Sequence, residues 1–395
     1  MDSTRRNVSL LAACQAMLFT NNATLIAING LAGLALAPSA LLATLPVTCW
    51  VLGGALGTMP ASMHMKRVGR RTGLTAGTLW GIIGALLCSI AIGAQSFWLL
   101  CFGTLVFGVY NAYGQYYRFA AADVAHAEFK ATAISLVLAG GLIGGILGPS
   151  TSRFTVDLVG PRFLGAYLAL IGFALVTMVL LRFLRIPTPS LAEQQARGRP
   201  LAEIATQPRF IVAVLAGAIG YGVMNFLMTS TPIAMGVCGH PYSDATFVIS
   251  SHVVAMFAPS FVTGTLIRRL GLLPVMGAGV VLNLAAIGVA LSGIGVAQFW
   301  IALVTLGVGW NFLYIGGTTL LTETYRPEEK ARVQGANDFS IFVMMAISSF
   351  TSGSIVTTAG WQAVNYSALS LVAALGLALA WLARRERRAA LAATA

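Results

Sequence analysis

Twelve long apolar stretches organise the chain, at roughly 8–33, 40–64, 73–93, 96–121, 131–151, 162–184, 209–236, 245–267, 272–293, 297–321, 333–356 and 361–383. About 20 apolar residues of helix cross a bilayer. Inside it each backbone N–H and C=O has to be satisfied within the protein, which leaves helices and closed barrels. Connections as short as Ala94-Gln95-Ser96 force successive helices into hairpins. Composition agrees: 57% of residues are hydrophobic and 9% charged, with a mean hydropathy of +0.82, whereas a soluble domain carries about 25% charged residues. The expected fold class is an all-α polytopic membrane protein with 12 transmembrane helices.

The formal net charge of +12 would suit nucleic acid, but its placement argues for a membrane. Of 24 lysines and arginines, Arg153 and Arg162 fall in loops on one side and Arg118 inside an apolar run; the rest occupy the tails and the alternate loops. This positive-inside pattern predicts both termini in the cytoplasm. Arg5 and Arg6 followed by an apolar run imitate a signal peptide, but the run continues too far, so an uncleaved first helix is expected. Four of the five cysteines (Cys14, Cys49, Cys88, Cys101, Cys238) lie in apolar runs and read as small hydrophobes.

The chain also repeats itself. Ser62-Met-His-Met-Lys-Arg-Val-Gly69 is echoed by Gly264-Thr-Leu-Ile-Arg-Arg-Leu-Gly271, and Glu128-Phe-Lys130 by Glu328-Glu-Lys330. Asp123 falls opposite Glu323, and Tyr110-Asn111 opposite Trp310-Asn311. The polar break at 186–208, with Pro187, Pro189, Pro200 and Pro208, divides two pseudo-symmetric six-helix bundles: 1–185 and 209–395, joined by a cytoplasmic linker in which Leu201–Ile204 reads as a short helix. Duplicated bundles of this kind are built around a site near the membrane midplane.

Polar side chains inside the apolar runs are unevenly spread. Spans 3, 6 and 12 are nearly free of them, and span 9 carries Asn283 alone, so these face lipid. Span 1 carries Gln15, Asn22 and Asn29, with Asn21 adjacent; span 4 carries Asn111, Gln115 and Arg118 on one face; span 7 carries Tyr221, Asn225 and Thr229; span 10 carries Asn311, Tyr314, Thr318 and Thr322. Polar groups are costly in lipid, so stripes on every third span predict a wet central cavity. The substrate-binding candidates are Asn22, Asn29, Asn111, Gln115, Arg118, Asn225, Asn311 and Tyr314. The competing reading makes each amide a packing contact between helices.

Twelve spans, two halves and striped spans 1, 4, 7 and 10 resemble the major facilitator superfamily. Its signature between spans 2 and 3 is G-x-L-x-D-R-x-G-R-R; here Arg67, Gly69, Arg70 and Arg71 match, while Ser62 and Lys66 replace the glycine and the acid. The echo matches at Gly264, Leu266, Arg269 and Gly271, with Arg268 in the acid's place. The resemblance implies a conformational latch made of Lys66, Arg67, Arg70, Asp123, Arg268, Arg269 and Glu323. In it Arg67 or Arg70 pairs with Asp123, and Arg269 with Glu323. Lys66 would be repelled by a helix N-terminus, and Asp338 is the candidate to pair with it instead. Gly140, Gly141, Gly144, Gly145, Gly148 and Pro149 in span 5 resemble half of a signature of proton-exchanging exporters; the plainer reading is close packing, expected against span 8.

Three ionisable groups lie inside predicted spans. Arg118 either reaches toward the Asp123 network or faces the cavity. His252 either carries a proton or is a neutral structural residue. Asp338 serves the latch or carries a proton. The aromatics of spans 4 and 10 either stack a planar solute or pack helices. No phosphate-binding loop, metal-ligand cluster or nucleophile–base pair stands out, so no cofactor, metal or enzymatic activity is expected. The expected function is a secondary transporter of the bacterial inner membrane. It would move a small organic solute by alternating access, as a monomer, with the proton as candidate coupling ion and no nucleic-acid partner. The rivals are an uncoupled facilitator, a drug or metabolite exporter of the same fold, and a transporter-like membrane sensor.

Overall fold

The computed structural model describes residues 3–39, 42–188, 190 and 198–394. Pro189 and residues 191–197 of the expected linker lie outside the described residues. The helices run α1 Ser3–Leu36, α2 Leu45–Val68, α3 Arg70–Gly93, α4 Phe97–Gly114, α5 Tyr117–Val124, α6 Lys130–Thr155, α7 Leu164–Arg182, α8 Leu201–Ala205, α9 Pro208–Val237, α10 Tyr242–Phe257, α11 Ser260–Leu270, α12 Leu272–Leu291, α13 Val296–Leu321, α14 Lys330–Thr358 and α15 Gly360–Thr394. Helices occupy each of the twelve expected stretches. Among the described residues ten are long and apolar enough to cross a membrane singly, and α10 with α11 make an eleventh as a pair bent by 42°. The twelfth stretch is α2, a 24-residue helix packed along α4. It ends with Lys66 and Arg67 in its last turn.

Two spans are broken. Pro259 has no N–H to continue the helical ladder, and α10 gives way to α11 around it. Span 4 is interrupted at Gln115-Tyr116, between α4 and α5. The repeated loops share one backbone conformation. Gly69 closes α2 at φ 84°, ψ 163°, and Gly271 closes α11 at φ 93°, ψ 160°. Side-chain-bearing residues essentially never occupy that region, so both echoed motifs need their glycine for the tight reversal.

The chain divides into two compact units: Met1–Arg197 with Pro327–Phe342, and Gly198–Arg326 with Val343–Ala395. The first part of α14 therefore belongs with the first unit. There α1 packs on α6 and α7, α2 on α4, and α3 on α4 and α7; in the second unit α9 packs on α13 and α15, α10 on α13, and α12 on α13 and α15. The packing surfaces are stripes of small residues, which let helix backbones approach. A Cβ on Gly53 would overlap the carbonyl of Leu105, and one on Gly108 that of Trp50. The span 5 glycines Gly140, Gly144 and Gly148 lie on Ala12, Ala16, Thr20 and Ala23 of α1. These glycines therefore let α6 approach the first span closely.

The three-span rhythm recurs in burial. The most apolar windows of spans 1, 4, 7 and 10 are 61%, 72%, 78% and 67% buried, against 50%, 39%, 39% and 28% for spans 3, 6, 9 and 12. Trp98, Trp80 and Trp381 stand exposed on helix surfaces, consistent with rings lying at a membrane boundary.

Candidate functional site

In the first unit the polar residues of spans 1 and 4 join into one line. Asn22 Nδ2 donates to Asn111 Oδ1 at 2.8 Å, and Gln115 Nε2 to the same oxygen at 3.3 Å. The break in span 4 turns the Gln115 carbonyl toward Arg118, whose Nη1 donates to it at 2.8 Å and to Gln115 Oε1 at 3.1 Å. Arg118 Nη2 then meets Asp338 Oδ1 at 2.5 Å, and Asn337 Nδ2 donates to that same oxygen at 2.8 Å. The Arg118 and Asp338 side chains are each 2% exposed. A fully desolvated ion pair holds only when both charges are matched and bonded, and the guanidinium is further supported by the Phe119 ring 4.5 Å away. Asn22 Oδ1 is buried without a hydrogen-bond partner among the described residues, whereas Gln115 is half-buried. Asn29 sits apart from this line, accepting from Tyr167 on α7 at 2.7 Å.

One face of α14 supplies the other ends of these contacts. Gln334, Asn337 and Asp338 are spaced i, i+3, i+4 and so lie together. Arg70 donates through Nε to Asp123 at 2.9 Å and through Nη2 to Gln334 at 2.6 Å, while Lys330 reaches Asp123 at 3.3 Å. Asp338 therefore pairs with Arg118, where the sequence reading set Lys66. Depth along the helix is the reason. Asp338 lies eight residues, about 12 Å of rise, beyond Lys330, and it is Lys330 that shares a cavity wall with Lys66. Arg118 likewise turns to Asp338, a third course beside the two expected of it. Gln334 and Asn337 were not singled out from the sequence, and Lys330 entered only as the echo of Lys130; their common face on span 11 was the available signal.

In the second unit Glu323 meets Arg209 at 2.8 Å, and Arg209 also meets Glu386 at 2.7 Å. Arg269 was the expected partner of Glu323. Arg209, at the start of α9, lies between two carboxylates because α15 continues beyond the expected end at 383 through Ala- and Arg-rich sequence of high helix propensity. Arg268 and Arg269 close α11 in its last turn, where cations are favoured.

Asn311 is fully committed. It donates to the Met256 carbonyl at 2.7 Å and to Ser260 Oγ at 2.6 Å, and accepts from Thr263 Oγ1 at 2.7 Å. It splints the break between α10 and α11. Asn225 donates to Ser348 Oγ at 2.8 Å and Ser349 Oγ at 3.0 Å on α14. His252 is fully buried with Nδ1 2.6 Å from the Leu303 carbonyl. A carbonyl only accepts, so the proton is on Nδ1 and the imidazole joins α10 to α13. Tyr314 belongs to an aromatic step: Trp310 and Tyr314 stack with centroids 5.0 Å apart and planes at 16°, and Tyr221 meets both edge-on at 5.4 Å. Phe257 closes the cluster against Trp310 at 5.7 Å. Tyr221 is the half-exposed ring of the group.

Known proteins match this chain along its length. The Major Facilitator Superfamily profile matches residues 10–349 and 239–394. The riboflavin transporter RfnT of Brucella anthropi is 41% identical over 374 residues, covering 93% of this chain and 94% of that protein. An uncharacterized MFS-type transporter of Bacillus subtilis, YdeG, is 32% identical over 348 residues, covering 84% and 80%. Among solved structures, the human organic anion transporter MFSD10 superposes with a TM-score of 0.78 at 12% identity, covering 96% of this chain and 100% of that one. The transporter FucP in its outward conformation gives 0.76 at 15% identity, covering 96% and 99%. The structural likenesses speak for the fold; the sequence matches carry the family. With its helices, its paired glycine reversals and its buried polar line accounted for, this chain belongs to the Major Facilitator Superfamily and is a membrane transporter rather than an enzyme.

Proposed function

We propose that the protein carries riboflavin, or a flavin of the same ring system, across the bacterial inner membrane by alternating access, working as a monomer with both termini in the cytoplasm. The observation that carries this reading is the aromatic step of α9 and α13. Trp310 and Tyr314 are stacked, and Tyr221 stands edge-on to them and half-exposed. Tyr221 is the accessible ring, with Trp310 and Tyr314 buried behind it at 1% and 3% exposure, so a planar tricyclic ring meets the cluster at Tyr221. The 41% identical relative named as a riboflavin transporter supports the same solute, and the excess of cations in the tails and alternate loops supports the orientation. Energy comes from an ion gradient. Of the two proton candidates, Asp338 has an ionisable partner in Arg118, whereas His252 is bonded to a backbone carbonyl.

Counterflow of labelled riboflavin in proteoliposomes tests the reading. Wild type exchanges riboflavin, and Tyr221→Ala raises KM about tenfold, as loss of one stacking contact does, while Tyr221→Phe stays near wild type. A folded protein that exchanges no flavin would remove the substrate assignment. Uptake that ignores a collapsed proton gradient would leave a facilitator.

A further inference from the structure

Gly53 of α2 lies on Leu105 of α4, and Gly57 on Val109. Each glycine stands 52 residues before its partner, and so does Cys49 before Cys101. Residues 49, 53 and 57 share one face of α2, and 101, 105 and 109 one face of α4. The register therefore sets Cys49 against Cys101, one turn from a backbone contact so close that a Cβ on Gly53 would overlap the Leu105 carbonyl. The two thiols hydrogen-bond one another there. Each cysteine is four residues inside the start of its helix, about 6 Å of rise, so the pair lies near one end of both spans. A disulfide needs Cα atoms about 4.4–6.8 Å apart, a separation that helices meeting on glycine supply. Cys88 of α3 also meets α4, but over Gly103, two residues or about 200° round the helix from Cys101. Cys49 is half-buried and Cys101 is 5% exposed, the arrangement of an accessible thiol with a sheltered one behind it.

We infer that Cys49 and Cys101 are a thiol–disulfide modification site, oxidised by a small-molecule or protein disulfide to a bond that staples α2 to α4. The Cys49 thiolate, its proton lost to water, attacks one sulfur of the oxidant. The oxidant's S–S bond breaks, and its other half leaves as a thiolate that takes up a proton. The Cys101 thiolate, deprotonated in the same way, then attacks the Cys49 sulfur of the mixed disulfide and expels the second half. Two protein thiols give up two electrons to one disulfide, which becomes two thiols. The new bond closes a long loop and so restricts the unfolded chain more than the folded one. With the N-terminus in the cytoplasm, as proposed above, the second and fourth spans begin on the far side, where disulfides form and persist. The source of the oxidant rests on that orientation, whereas the site itself rests neither on it nor on the riboflavin reading.

Full-length protein in nanodiscs is incubated with glutathione disulfide, alkylated, digested without reductant and mapped by mass spectrometry. A Cys49–Cys101 linked peptide is expected, reversed by dithiothreitol, with a Tm about 5 °C above that of the reduced protein. Cys49→Ser and Cys101→Ser each abolish the linked peptide and the rise in Tm, and Cys88→Ser keeps both. The map of the wild type decides the pairing even where a variant folds poorly. No linked peptide, glutathione retained on Cys49, a bond to Cys88, or a linked protein whose Tm does not rise overturns the proposal. Glutathione disulfide, a charged peptide that does not cross a bilayer, is then added to right-side-out and to inverted vesicles. A bond in right-side-out vesicles alone supports both site and orientation; a bond in inverted vesicles alone keeps the site and reverses the orientation.

Discussion

The buried pair Arg118–Asp338 gives the most quantitative prediction. Asp338→Asn keeps the side chain's shape and removes its charge. Two unit charges with centres about 4 Å apart attract by roughly 4 kcal/mol at an effective dielectric of about 20. The asparagine oxygen still accepts a hydrogen bond, worth about 1 kcal/mol, so the net loss is about 3 kcal/mol. That agrees with the roughly 3–5 kcal/mol measured when one partner of a buried pair is removed. Most of the cost is the arginine left charged and unmatched among Phe119 and the Gln115 backbone. Neutralising it as well, in Arg118→Gln with Asp338→Asn, recovers at least half of the loss. Reversible unfolding of wild type, both single variants and the double variant in mixed micelles measures the cycle, and the coupling is expected to exceed about 2 kcal/mol. Strictly additive losses, with coupling under about 0.5 kcal/mol, refute the pairing and the role of α14 in the first unit.

Two further outcomes follow from close packing and polar satisfaction. Gly108→Ala pushes a methyl group into the Trp50 carbonyl between α2 and α4; it costs about 1–3 kcal/mol or more and lowers Tm, whereas alanine at Gly172, which has open space around it, leaves Tm unchanged. Asn311→Ala strands the Met256 carbonyl and the Ser260 and Thr263 hydroxyls at the α10–α11 break. It costs about 2–3 kcal/mol and speeds hydrogen exchange in residues 256–263 more than elsewhere in the second unit.

Much of the architecture was legible because lipid restricts what an apolar run does. Each stretch of about 20 apolar residues became helical, two of them broken within the span, and the echoed glycines Gly69 and Gly271 became matching reversals because only glycine adopts their backbone angles. The stripes on spans 1, 4, 7 and 10 marked the deeply buried helices because the cost of polarity in lipid is set by the side chain itself. Partners were another matter. Arg118 and Asp338 are 220 residues apart, and their meeting depends on how far each lies along its helix. Arg70 meets Asp123 as one of the two pairings the resemblance implied, but the same depth rule added Lys330 to that carboxylate and gave Glu323 to Arg209. Asn311 looked like a cavity residue from its stripe, yet its amide is saturated by a helix break whose position its own span does not reveal.

By itself the sequence determined the class, the spans, the duplication and which faces are polar, since each follows from composition and spacing within one segment. Only the tertiary structure decided which polar groups satisfy one another and which remain available to a ligand. Hydrogen bonds and ion pairs form over a few ångströms, and that distance between segments far apart in the chain is set by the tilt, break and axial shift of packed helices.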